Sequence, residues 1–135
     1  KRPPFNFTDI SPDFWADEAL QIASRGGFIS GFNDRTFRPA ENVQRIQVIL
    51  SLVNGLTLPT ADNNALLTYT DSQTIPNYAR QAVVTATQQR IVVNYPNPKQ
   101  LVPTREATRA EVAAMVYQAL VAIQRASRIN STYIV

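Results

Sequence analysis

No cysteine and no histidine occur among the 135 residues. Without thiols there can be no disulfide, no thiolate metal site and no cysteine nucleophile. Without imidazole the Ser-His and Cys-His pairings and the commonest general acid/base are missing too. The expectation is therefore a protein that is not an enzyme and that carries neither cofactor nor metal site. Secreted proteins do not require disulfides, so the missing cysteine leaves the compartment open. Long apolar runs are also missing: none approaches the roughly 20 residues that cross a bilayer. Lys1-Arg2-Pro3-Pro4 lacks the apolar stretch of a secretion signal. A soluble chain with no membrane span is expected and, since it starts without Met, a processed or excised piece. Lysine is scarce, with only Lys1 and Lys99 among 13 basic residues. Arginine is the side chain suited to forked recognition of carboxylate or phosphate. No basic run is interleaved with aromatics, which argues against a nucleic acid partner.

A hydrophobic content of 44% with 17% charged residues in 15.0 kDa suits one globular domain with a real core, whereas two independent domains would each be marginal. Residues 1–60 carry six basic and six acidic side chains, residues 61–135 seven basic and four acidic, so the net +3 sits in the second half. An anionic partner fits this balance better than a neutral one.

Laid on itself, the chain repeats. Phe7-Thr8-Asp9 recurs as Tyr69-Thr70-Asp71, 62 residues later. Trp15-Ala16, Ala19-Leu20 and Ala23 recur 63 residues later as Tyr78-Ala79, Ala82-Val83 and Ala86, and Pro39 and Arg45 recur 64 later as Pro103 and Arg109. Two one-residue insertions account for the drift. The repeat divides the chain into units at 7–54 and 69–123, joined by a Thr/Asn-containing linker at 55–68 and followed by a tail at 124–135.

Each unit reads as helix, loop with a short extended piece, and second helix. In the first, Ser11 is the expected N-cap and Pro12 the first helical residue, with Trp15, Ala19, Ile22 and Ala23 on one apolar face and Gly26-Gly27 as the stop. The second helix is expected over roughly 43–54, with Ile46, Ile49, Leu50 and Val53 as its stripe and Gly55 as its end. In the second unit, Pro76 opens a helix whose Ala79, Ala82, Val83 and Ala86 form a narrow face that admits another helix closely. Ile91-Val92-Val93 repeats the short extended run. Thr108-Arg109-Ala110-Glu111 has the form of a capping box, and the last helix is expected to reach about Arg125 through Val112, Met115, Val116, Ala119, Leu120 and Ile123. Tyr133-Ile134-Val135 would dock on the core or fray. Neither helix pair buries much alone, so the predicted fold is mainly α, two helix-loop-helix repeats packed as one small helical domain with short extended segments in the loops.

These residues resemble a known family. Phe7-Thr8-Asp9-Ile10, Phe14-Trp15-Ala16 and Ala19-Leu20, followed by Gly27-Phe28-Ile29-Ser30-Gly31-Phe32-Asn33-Asp34-Arg35-Thr36-Phe37-Arg38-Pro39, look like an S-layer homology repeat with Arg35 where Gly is usual. The second unit supplies the family's Thr-Arg-Ala-Glu helix start whole, at 108–111, but replaces the glycine-containing loop with Asn94-Tyr95-Pro96-Asn97-Pro98-Lys99-Gln100-Leu101. The first unit replaces the helix start with Gln44-Arg45-Ile46-Gln47. The resemblance implies a bacterial cell-envelope or cell-surface module, secreted, and at the periplasmic face if the host has an outer membrane. Such modules fasten proteins to an acidic, commonly pyruvylated, polysaccharide attached to peptidoglycan. Carried across, the implied ligand contacts are Arg45, Arg109, Gly31, Asp34, Thr36 and Trp15, with Thr108 and Glu111 of the same helix start. Because each unit keeps a different part, one composite pocket is expected, made by the first loop and the second unit's helix start.

Each of these residues also has a structural reading. Arg45 and Arg109 suit a sugar carboxylate at a helix N-terminus, but would equally pair with Asp9 and Asp71. Trp15, on an apolar helix face, reads as core before it reads as a sugar-stacking ring. Asp34 reads as a turn-stabilising residue before a sugar or calcium contact. The alternative function is assembly, with the repeat surface binding other envelope proteins or itself. The carboxylates Asp9, Asp13, Asp17 and Glu18 read as a capped helix start, not an acid/base pair.

Overall fold

Four α-helices carry the chain in the computed structural model, which describes residues 5–59 and 63–135: α1 (Asp17–Arg25), α2 (Arg45–Leu56), α3 (Arg80–Gln88) and α4 (Arg109–Ala122). Short 3-10 turns at Asn63–Thr68, Ser72–Thr74 and Asn77–Ala79 fill the span between α2 and α3. Lys1 to Pro4, where the sequence shows no secretion-signal stretch, and the centre of the linker, 60–62, lie outside the described residues. The fold is mainly α, as the repeat predicts. Among the described residues the β contacts are two isolated antiparallel bridges, Gln44 with Glu106 and Val93 with Ile134.

The two halves are closed by the same bonds. Asp9 accepts from the Phe37 and Arg38 amides at 2.8 and 2.7 Å, and Asp71 from the Leu101 and Val102 amides at 3.0 and 2.8 Å. One residue earlier, the Thr8 amide donates to Arg35 O and the Thr70 amide to Lys99 O. Arg38 and Val102, equivalent in the repeat, both take left-handed backbone, at φ 60 and 48. A β-branched residue there is strained by about 1–2 kcal/mol, and the Asp71 carboxylate holds the amide of Val102 in place. The aromatic that precedes each Asp by two residues, Phe7 or Tyr69, is buried.

Helix starts and stops differ from expectation in instructive ways. Ser11 caps no helix: its hydroxyl accepts from the Asp13 amide, residues 11–17 pass through successive turns, and α1 begins only at Asp17. The register of its buried face changes with it. Trp15 is 89% exposed and Ile22 63%, so neither is core, while Ser24 is the one fully buried residue of α1. Gly55 does not stop α2, which runs on to Leu56 and ends on Thr57 in left-handed backbone. Glycine is needed there because the Phe28 ring lies where a Cβ would stand, 2.1 Å from it. The capping box of α4 is present, with Thr108 Oγ1 accepting from the Glu111 amide and Glu111 Oε2 from the Thr108 amide.

α2 is the centre of the core, packing on α3 and on α4. The small-residue face of α3 and the turn before it is buried there, with Ala79, Val83 and Ala86 at zero exposure and Ala82 at 9%, in one core with Ile46 and Ile49. The linker joins in through Leu66, whose 3-10 turn packs on α3. α4 buries Met115, Gln118 and Ala119, but Val116, Leu120 and Ile123 of its predicted stripe stay partly exposed, because no further helix lies over them among the described residues. The tail docks: Asn94 N–H donates to Tyr133 O and Val135 N–H to Val92 O, with Ile134 buried between.

Candidate functional site

Arg45 opens α2 in the first unit, yet its guanidinium serves the second. At 1% exposure, its Nε donates to Leu101 O at 2.8 Å and its Nη2 to Val93 O at 3.1 Å and to the Asn94 side chain. Nη1 stands 3.4 Å from Glu111 Oε1, an ion pair without hydrogen-bond alignment. Arg45 therefore pairs with neither Asp9 nor Asp71, whose carboxylates are occupied by backbone amides. Burial pushes the guanidinium below its ordinary value, and Glu111 opposes the shift.

Around this clasp lies a cavity of about 600 Å³. Its walls come from Arg45, from the loop of the second unit (Val93 to Asn97, Gln100, Val102 and Arg105) and from the first turns of α4 (Thr108, Ala110, Glu111, Ala114). Glu111 is the hub. It receives Arg105 Nη2 and the Thr108 amide while facing Arg45. Burial works to raise its carboxyl, but Arg105, the Thr108 amide and the Arg45 charge together hold it below the ordinary carboxylate value. Two guanidiniums against one carboxylate leave the cavity net positive. Mostly apolar walls with a few convergent polar groups are those of a small-ligand site, and this charge suits a ligand with an acidic substituent.

Not every residue expected in a site is here. Arg45, Thr108 and Glu111 line the cavity; Gly31, Asp34, Thr36, Trp15 and Arg109 do not. The composite pocket of first loop and second helix start is not formed: a cavity does lie where the two units meet, but its first-unit contribution is the start of α2 instead of the first loop. That loop is closed on itself: Asp34 Oδ1 accepts from the Thr36 amide and hydroxyl, and Oδ2 from Arg38. These bonds, the Thr36 hydroxyl first, hold the Asp34 carboxyl below its ordinary value. Gly31, at φ +71, sits where a Cβ would meet the Phe7 ring at 2.5 Å and Thr36 O at 2.8 Å. Arg109 is exposed at the start of α4.

The sequence pattern of the S-layer homology domain matches residues 6–49. The first unit is an S-layer homology domain. Among curated proteins nothing matches the chain. S-layer homology domains are cell-wall anchoring modules of bacterial surface proteins, which supports a cell-envelope or cell-surface location for this domain. Among the described residues no helix is long and apolar enough to cross a membrane. Sequence reasoning missed Arg105, which no motif marks, and passed over Asn94 and Tyr95 as a departure from the family loop. The exchange of a glycine-containing loop for bulky Asn94-Tyr95-Pro96, in the half that holds the surplus positive charge, was the available signal.

Proposed function

We propose that the chain is a non-catalytic anchoring module in which residues 69–123 form a second, divergent S-layer homology repeat. In this reading the junction cavity binds an acidic, commonly pyruvylated, polysaccharide attached to peptidoglycan. The observation that carries it is the cavity itself: net positive, largely apolar, and built only where the Arg45 end of the first unit meets the loop and α4 start of the second. Arg105, with a side chain 41% exposed, is the cavity cation available to a ligand; the exposed Arg109, outside the cavity lining, would meet only a ligand that extends beyond it, while Arg45 holds the wall. The test is co-sedimentation with sacculi that retain their polysaccharide. Arg109→Ala should weaken sedimentation without lowering thermal stability, Arg105→Ala should weaken it beyond the small stability loss expected from its ion pair with Glu111, and chemical removal of the acidic groups should abolish it. No sedimentation with sacculi from any of a broad host panel would sink the proposal.

A second reading, assembly with other envelope proteins or with itself, is favoured by one observation. α2 of the first unit packs on α3 of the second, whereas the equivalent faces of α4 and α1 keep apolar side chains exposed among the described residues. Ile22 on α1 and Val116, Tyr117 and Leu120 on α4 are exposed, whereas their counterparts 63 or 64 residues away, Thr85, Leu52, Val53 and Leu56, are buried or half-buried. Concentration-dependent oligomers in sedimentation equilibrium without polysaccharide would support this reading, and a strict monomer would remove it.

A further inference from the structure

The two units treat one equivalent aromatic differently. In the first loop the Phe32 ring is covered by the Arg38 guanidinium, 3.9 Å from its centroid. In the second unit Tyr95 holds the place of Phe32 and Val102 that of Arg38. Among the described residues no guanidinium covers Tyr95, and it stays 67% exposed while lining the cavity.

What Tyr95 has instead is the tail. Tyr133 meets it edge-on, with ring centroids 5.0 Å apart and planes at 73°. Tyr133 is brought there by backbone bonds: Asn94 N–H to Tyr133 O at 2.9 Å, Val135 N–H to Val92 O at 3.0 Å, and the Val93–Ile134 bridge with Ile134 buried. The same Asn94 donates its side-chain amide to Pro98 O and accepts from Arg45. The tail, the loop and the first unit thus fix one cavity wall from three directions. An edge-to-face pair sets a ring's orientation while leaving a face open.

We propose that Tyr95, oriented by Tyr133, is a stacking shelf for a hexopyranose ring at the cavity rim, and that residues 131–135 belong to the binding site. A pyranose presents one face of C–H groups and a rim of hydroxyls. The first lies on an aromatic ring, and the second reaches the Arg105, Glu111 and Asn97 side chains that line the same cavity. Tyr95 is the contacting residue and Tyr133 a positioning residue. This rests on the wall-anchoring reading and adds a neutral sugar contact to its acidic one.

The test uses the full chain, sacculi retaining their polysaccharide, and polysaccharide fragments released from them. Tyr95→Ala and Tyr133→Ala should each weaken sedimentation roughly three- to tenfold, the scale of one aromatic contact, while Tyr95→Phe and Tyr133→Phe stay within about twofold. Ring resonances of Tyr95 should move when released fragments are added. If Tyr95→Ala binds as the unaltered chain does, or if backbone amides of 105–111 shift while the Tyr95 ring does not, the shelf is wrong and wall anchoring stands. If the unaltered chain binds no sacculi, both fall. Tyr95 is largely exposed, so its variants report on binding even if Tyr133→Ala loosens the tail.

Discussion

Gly31 meets two demands that no other residue satisfies: a φ of +71 and the space taken by the Phe7 ring and Thr36 O. Because one of those neighbours is backbone, the loop cannot yield cheaply. Gly31→Ala should cost about 2–4 kcal/mol in denaturant unfolding, and an unchanged midpoint would show that the loop is softer than its geometry implies. Glu111 makes a different prediction at the same scale. Its carboxyl lies below the ordinary 4.5 in the folded protein, so the folded state binds the proton less well than the unfolded chain. That stabilisation is complete above the unfolded value and is lost as pH falls through the folded one. Stability should therefore decline on acidification below about pH 4.5, and Glu111→Gln should flatten the part of that limb due to this carboxylate. An unaltered pH profile in the variant would place the acid sensitivity elsewhere. Gly31 and Asp34 were visible in the sequence, one as a motif glycine and the other as a turn residue. The pairing of Glu111 with Arg45 and Arg105 was not, since it joins residues distant along the chain.

For the elements, local signals worked where the chemistry was local. The Thr108 to Glu111 capping box was readable because a cap acts within one turn, whereas Pro76 opens only a 3-10 turn at Asn77–Ala79 and α3 itself begins at Arg80. The start of α1 was misjudged: Ser11 bonds its own neighbourhood, and the helix begins five residues after Pro12. Gly55 was misjudged for the opposite reason, since a contact with Phe28 outranks its helix-stopping tendency. Two effects compete there. Alanine should gain about 1 kcal/mol of helix propensity, but its Cβ would overlap the Phe28 ring, at a cost of about 1–3 kcal/mol. Gly55→Ala is expected to be net destabilising, with the loss shrinking in a Phe28→Ala background. Equal effects in both backgrounds would show that the ring moves aside without cost.

Across the whole molecule, Arg45 joins the units. Arg45→Ala would leave Leu101 O, Val93 O and the Asn94 side chain without their donor and Glu111 with one cation fewer. A loss of about 3–5 kcal/mol follows from stranding such buried groups. Calorimetry should show the single unfolding transition broaden or split as the second unit's loop loses its clasp, and a single transition at the unaltered temperature would mean that α2 on α3 suffices. The sequence by itself determined the mainly helical class, the two-unit period, the aromatic-x-Asp starts and the absence of thiol and imidazole chemistry, because composition and spacing are properties of the chain alone. Which arginine is buried and which faces solvent, that the divergent loop and not the motif loop lines the cavity, and that the tail returns beside Tyr95 were decided only by tertiary structure. Each depends on how one unit is set against the other, and that arrangement follows from the summed burial of α2 on α3, which no local pattern records.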